Sequence, residues 1–292
     1  MNRAVWLPLP LLILSTAAVA QPVVLVETKV TQYRDASQAV RRHLTGAREV
    51  DPTDPAAPDA IKGASLVVAV GQKALLLATQ HGAGIPVVFC MVLGINSKQL
   101  SGNVTGVPLE PDPISTLAHI RQTVPNAKRI GLIYNKVSSE LFSVEAQQAA
   151  SAEGISLVPR AVGGAAEVKD AFAAMLGSVD LLWLPPDPRL FPREVFASLL
   201  ASASEHKVPV VAFLASLTEA GAIASVHADY DDNGDRAGKL ALDILSRPEG
   251  KRVPVPAPIF APGILTINLK TAKALGIDVS SKAQSNAKSI IR

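Results

Sequence analysis

The sequence contains one cysteine, Cys90, in 292 residues. A single thiol can form neither an intramolecular disulfide nor a cysteine-based zinc site, whatever the compartment. The five histidines, His43, His81, His119, His206 and His227, are scattered singly, and no two stand at the His-x-x-x-His spacing that places two imidazoles on one helix face. The reading is therefore no metal and no cofactor. Aromatic residues make up 4% of the chain and methionines number three, too few for a pliable, promiscuous peptide-binding groove. Charge of one sign is also scarce. The 28 Lys and Arg against 25 Asp and Glu leave a net +3, so nucleic acid is not an expected partner. Beyond residue 20 no uninterrupted apolar run approaches the ~18–20 residues needed to span a bilayer. Gly-x-Ser-x-Gly, His-Glu-x-x-His and Gly-x-Gly-x-x-Gly are all absent, which leaves the most readily recognised enzyme classes without support.

Two partial motifs fall short in informative ways. Gly234-Asp-Arg-Ala-Gly-Lys239 has the look of a phosphate-binding loop but is one residue short, and Leu240 stands where a magnesium-binding hydroxyl belongs. Asp229-Tyr-Asp-Asp-Asn-Gly234 opens like a calcium loop, yet its twelfth position is again Leu240 instead of a bidentate Glu. Both are simpler as the acidic first turn of an amphipathic helix through Ala237, Leu240, Ala241 and Ile244.

What is present is apolar material in short runs. Hydrophobic residues make up 48% of the chain, ample for a core, and the length exceeds one ordinary domain, so two lobes are expected. Residues 1–20 read as a cleavable export signal: Arg3, then an apolar stretch from Val5 to Val19, then the small-x-small Ala18-Val19-Ala20. No cysteine stands at the cleavage point, so the expectation is a periplasmic protein without a lipid anchor. Apolar runs rich in β-branched residues recur at Val23–Glu27, Ser65–Val70, Pro86–Val92, Arg129–Tyr134, Ile155–Pro159, Val179–Leu184, Val208–Phe213, Ala222–His227 and Leu265–Asn268, with helical patterns between them. Continuous apolar runs alternating with helices imply parallel sheets buried on both faces. The expected class is α/β: two lobes, each a parallel sheet flanked by helices, joined by multiple hinge strands. The Gly- and Pro-rich segment 100–113 and the Pro-rich segment 253–259 read as lobe connections. This divides the chain into residues 21–106 plus about 229–258 and residues 107–228 plus about 259–292, with the lobe of the C-terminal segment left open.

One family accounts for the remaining motifs. Asn103-Val-Thr-Gly-Val107, Pro125-Asn-Ala-Lys-Arg-Ile-Gly-Leu-Ile-Tyr134, Asp180-Leu-Leu-Trp-Leu-Pro-Pro-Asp187, Gly221-Ala-Ile-Ala224, Asp229-Tyr230 and Ile267-Asn-Leu-Lys-Thr-Ala-Lys-Ala-Leu-Gly276 resemble ABC-importer substrate-binding proteins of the tryptophan/tyrosine type, which have the type I periplasmic-binding-protein fold. The resemblance implies a small polar, amino-acid-like ligand held between lobes, an ABC permease of the inner membrane as partner, and a monomer. It is weaker in the first lobe, where Cys90-Met-Val-Leu-Gly94 lacks the usual Asp-Pro and Gln72 replaces a small hydroxyl residue. These departures leave the ligand open. A receptor of the same fold feeding a sensor kinase or chemoreceptor, and a hydrolase or lyase without a recognised motif, are the alternatives.

In open parallel sheets, ligands bind beyond the carboxyl ends of the strands, where helix N-termini offer unpaired N–H groups. That rule selects Thr31, Tyr33, Gly71, Gln72 and Met91 in the first lobe, and Asn135, Ser138, Ser139, Asp187 and Leu214 in the second. Trp183, inside an apolar run, reads as core, whereas Tyr33 can cover a ligand with its ring. Asp187 lies among prolines, and the next helix is expected to begin near Pro192. That leaves its carboxylate unengaged and available to a ligand amine.

Overall fold

The computed structural model describes residues 20–95 and 97–292; the export signal expected over residues 1–20 lies, but for Ala20, outside them. The first lobe is built from β1 (Val23–Val26), α1 (Thr31–Arg41), β2 (Arg48–Val50), α2 (Ala57–Lys62), β3 (Val67–Val70), α3 (Gln72–His81), β4 (Val87–Val92) and β5 (Val104–Pro108). Its sheet has the order β2-β1-β3-β4-β5, and all pairings are parallel. β1, β3 and β4 are buried at every position, because side chains of alternating residues enter two different cores. Val24 and Val26 pack with Val40 and Ile244, while Val23 and Leu25 pack with Ile61 and Leu75.

The second lobe comprises α4 (Pro113–Thr123), β6 (Arg129–Asn135), α5 (Glu140–Ala152), β7 (Ser156–Val162), α6 (Val168–Ala173), β8 (Leu181–Trp183), α7 (Arg193–Glu205), β9 (Val210–Ala212), α8 (Ala215–Glu219) and β10 (Ala224–Ala228). After α9 (Tyr230–Ser246), the chain adds β11 (Gly263–Asn268), α10 (Leu269–Leu275), α11 (Ser281–Asn286) and β12 (Ser289–Ile291). The sheet order is β12-β11-β10-β9-β8-β6-β7, parallel except for the β10–β11 pair. Pro159 is accommodated because β7 is an edge strand. Trp183 is core as expected, edge-on to Phe142 with ring centroids 5.3 Å apart.

α9 returns to the first lobe and packs along α1. Its glycines make this possible: a Cβ on Gly234 would lie 2.2 Å from the Ala36 carbonyl oxygen, and one on Gly238 2.8 Å from that of Val40. Asp229 caps the helix by accepting from the N–H groups of Asp231 and Asp232. The acids that follow pair with basic side chains: Asp231 and Asp235 share Arg42, Asp235 also meets His43 and Lys239, and Asp232 meets Arg236. Among the described residues no group of three or more His, Cys, Asp or Glu is placed to hold a metal ion.

The connections differ from expectation at one point. Residues 104–108, expected as part of a hinge, form β5, paired with β4 from Val104 to Val107 and, past a register shift, at Pro108; Pro108, the last residue of this edge strand, does not interrupt the ladder. The crossing therefore begins at Leu109. The Pro-rich segment runs beside β5, with Val255 N–H on Gly102 O and Ile259 N–H on Gly106 O, before Ala261 bridges to Pro111. The chain thus passes between the lobes at 109–112, 228–229 and 260–262.

Candidate ligand-binding site

Where the carboxyl ends of the two sheets face one another lies a cavity of about 540 Å³. The first lobe contributes Tyr33, Gln72, Met91 and Gly94, and the second contributes Ser138, Asp187 and Arg189. An apolar annex lined by Phe213, Leu214, His227 and Tyr230 adjoins it, sharing Leu93, Leu109, Pro186 and Pro188. Burial holds His227 below the ordinary imidazole range, so it enters the annex neutral near pH 7. A larger cavity, about 940 Å³, opens beside the amino-terminal end of β9 between α7, α8 and α10. It is lined by the second lobe alone, mostly by apolar side chains, and does not lie at the carboxyl ends of the strands.

On the first-lobe wall, Tyr33 lies in the first turn of α1 with its ring over Gly71. Gly71 has φ +90°, and a Cβ there would lie 2.6 Å from Tyr33 Cε2; only glycine permits both the backbone and the ring. Burial, and next the charge of Glu27, raise the Tyr33 hydroxyl above its ordinary pKa, which keeps it a neutral donor. Met91 occupies a bulge where the β4–β5 register shifts, in a left-handed conformation of φ 58°. Asn233 holds it there: its Oδ1 accepts the Met91 N–H at 2.8 Å, while its amide donates to Pro108 O at 2.9 Å. The Cys90 thiol beside it is fully buried and pushed up to about 12, so it supplies no thiolate.

On the opposite wall, Asn135 closes a turn by accepting from the N–H groups of Val137 and Ser138, which presents Ser138 to the cleft. Asp187 is 3% exposed and already hydrogen-bonded within its own wall, contrary to expectation. It accepts from the Ser138 hydroxyl, from the Arg189 N–H at 3.1 Å and from Arg189 Nε at 3.3 Å. The neighbouring helix does begin at Arg193, after Pro192, but the intervening loop folds its own arginine back onto the carboxylate.

Tyr33, Gln72, Met91, Ser138 and Asp187 thus meet in one cavity, Gly71 lies beneath Tyr33, and Leu214 lies in the annex. Asn135 lines a flanking hollow together with Ser138 and Arg189. Two selected residues do not line the cavity. Thr31, the first residue of α1, is exposed, and the helical turn that brings Tyr33 inward carries Thr31 away from it. Ser139 is buried, and its backbone joins β6 to α5 through Asn135 O and the Ser143 N–H.

Arg189, Glu110 and Asn233 escaped the strand-end rule. Glu110 sits in the first crossing, 4% exposed. Its Oε1 accepts the Gly94 N–H at 2.6 Å, and its Oε2 has no partner among the described residues. Burial, with a smaller contribution from the Asp187 charge, pushes its carboxyl up to about 7. The signal available was a lone acid between Pro108 and Pro111, in a stretch that otherwise reads as a connection.

A family model described as ABC transporter substrate binding protein matches residues 60–291. A curated "Tyrosine-binding protein" of Clostridioides difficile (strain R20291) is 30% identical over 198 residues, 64% of this chain and 56% of that protein. The match therefore spans little more than half of that relative's length. Among solved structures, the ABC domain in complex with L-Trp from Streptococcus pneumonia is similar at a TM-score of 0.62 and 22% identity, covering 94% of this chain and 100% of that one. The ligand-free, open form of a substrate-binding protein with adhesive properties from Clostridium difficile gives a TM-score of 0.64 at 19% identity, covering 94% and 99%. At these identities the two structural likenesses concern the fold.

Proposed function

This chain belongs to the family of ABC transporter substrate-binding proteins, and from that premise we propose that it captures an amino-acid-like solute between its lobes and delivers it to an ABC permease. The observation that carries this reading is the cleft itself: a polar end with one acid, one base and a serine hydroxyl, continuous with an apolar annex. A free amino acid has that shape, a charged head and a side chain of different character. The volume falls within the range of small-molecule sites. The ligands named for the relatives, tyrosine and L-Trp, are of the same class.

In this reading the head group lies against Ser138 and Asp187. The carboxylate has about four acceptor positions, and the three bonds it already receives leave one for a ligand ammonium. The side chain enters the annex beside Phe213, Leu214 and Tyr230, and the Tyr33 ring covers the ligand from the first lobe. The lobes close over it about the three crossings, as hinge strands permit. Export by residues 1–20 places the receptor in the periplasm, facing the permease of the inner membrane. It acts as a monomer without metal, cofactor or catalysis.

The deciding experiment is calorimetric titration of the purified chain, stripped of bound solute by unfolding and refolding, with each of the twenty L-amino acids. At least one should bind with Kd of about 10 μM or tighter, roughly −7 kcal/mol. Absence of heat for all twenty, with a refolded circular dichroism spectrum, would refute the reading.

A further inference from the structure

Two opposite charges stand two residues apart in the cleft, and their exposures are inverted. The Asp187 side chain is 3% exposed, that of Arg189 73%. The accessible charge on this wall is therefore positive. Of the guanidinium nitrogens only Nε is engaged, with Asp187 Oδ1; among the described residues Nη1 and Nη2 have no hydrogen-bond partner. Nη2 reaches to within 3.4 Å of the point a Cβ on Gly94 would occupy, so the group extends from the second lobe to the first-lobe rim.

The backbone beneath it is fixed. Pro188 precedes it, Leu190 and Phe191 are buried after it, and both of their N–H groups return to the Asp187 carbonyl. With Nε tied down, the terminal edge of the planar guanidinium still offers two parallel donors, the arrangement that matches a carboxylate.

We propose that Arg189 is the residue that selects the ligand's carboxylate, taking it on the Nη1–Nη2 edge while Asp187 holds the guanidinium in place. The inference rests on the reading of the cleft as an amino-acid site and adds the group that recognises the acid end. A lysine could not serve equally, because an ammonium held by Asp187 keeps no two-donor edge.

The test uses the tightest-binding amino acid from the screen above and its primary amide, which keeps the amine and side chain but lacks the carboxylate. Wild type should prefer the acid over the amide by roughly 10- to 100-fold. Arg189→Gln should bind the acid that much more weakly and discriminate less than about 3-fold, with Arg189→Lys intermediate. The exposed position makes misfolding of the variants unexpected, and circular dichroism checks it. If Arg189→Gln keeps the wild-type preference, or wild type shows none, the inference fails while the amino-acid reading stands. If no amino acid binds wild type, the cleft reading fails and takes this inference with it.

Discussion

Replacing Glu110 with glutamine should raise stability at pH 8 and leave it nearly unchanged at pH 4.5. In the unfolded chain this carboxyl titrates near 4.5, while in the folded chain burial pushes it up to about 7. The folded state therefore holds a proton that the unfolded state has released, and stability falls as pH rises from about 4.5 to about 7, then levels off. At about 1.4 kcal/mol per pH unit, that window corresponds to roughly 3 kcal/mol. Glutamine mimics the protonated acid, since its oxygen can accept the Gly94 N–H and its amide replaces an O–H donor at the unpartnered Oε2. The low-pH comparison is therefore close to neutral, and the gain grows between about pH 4.5 and 7 to reach about 2–3 kcal/mol above pH 7. Urea unfolding of both proteins at pH 4.5, 6, 7 and 8 measures the difference. Carboxylates with lowered pKa values, such as Asp180 held at about 2 by its hydrogen bond from Arg129, contribute equally to both proteins and cancel. Parallel stability curves, or a loss at pH 8, would refute the reasoning.

Three further outcomes follow from the cleft and its supports. Gly71→Ala should cost about 1–3 kcal/mol through its φ of +90° and displace Tyr33; thermal denaturation reads the first effect, and an affinity for the amino-acid ligand equal to wild type would remove Tyr33 from the binding surface. Asn233→Ala leaves the Met91 N–H and the Pro108 carbonyl unpaired inside the protein, a loss of about 2–4 kcal/mol in urea; a loss below about 0.5 kcal/mol would count against the clamp. Small-angle scattering at saturating ligand should give a smaller radius of gyration than the free protein, and an unchanged radius would argue against closure.

The parts of the fold legible in the sequence were those whose chemistry is repeated. The Val-rich runs of β1, β3 and β4 announce strands because every residue is buried. β2 and β12, three residues each, carry no such run. β5 was hidden by a glycine and a proline that an edge strand tolerates. At the site, the strand-end rule reaches residues directly after a strand, such as Gln72 and Asp187. It gives no facing, which is why Thr31 and Ser139 were selected along with Tyr33 and Ser138. It is blind to groups that arrive from elsewhere: Glu110 from a crossing, Asn233 from within a helix, Arg189 folded back from a loop.

The stretch Asp229–Gly238 shows how a sequence pattern can be satisfied by packing alone. Its spacing suggests ion or phosphate binding, yet each residue has a structural partner. Asp229 caps α9, and Asn233 clamps the Met91 bulge and the end of β5. Gly234 and Gly238 let α9 lie against α1, and Asp235 meets His43 and Lys239. The first turn of α9 follows directly on the crossing at 228–229, so the crossing and the cleft residue Met91 are joined through one buried asparagine. Rotation of the second lobe about that crossing must either carry Asn233 with it or be absorbed at Ala228 and Asp229. The hydrogen bond that Asn233 accepts from Met91 N–H and the one it donates to Pro108 O, with the glycine-mediated contact to α1, favour the latter. In the proposed closure the cleft wall at Met91 would then stay fixed to the first lobe while Asp187 and Arg189 move relative to it, with the bend at Ala228 and Asp229, between β10 and α9.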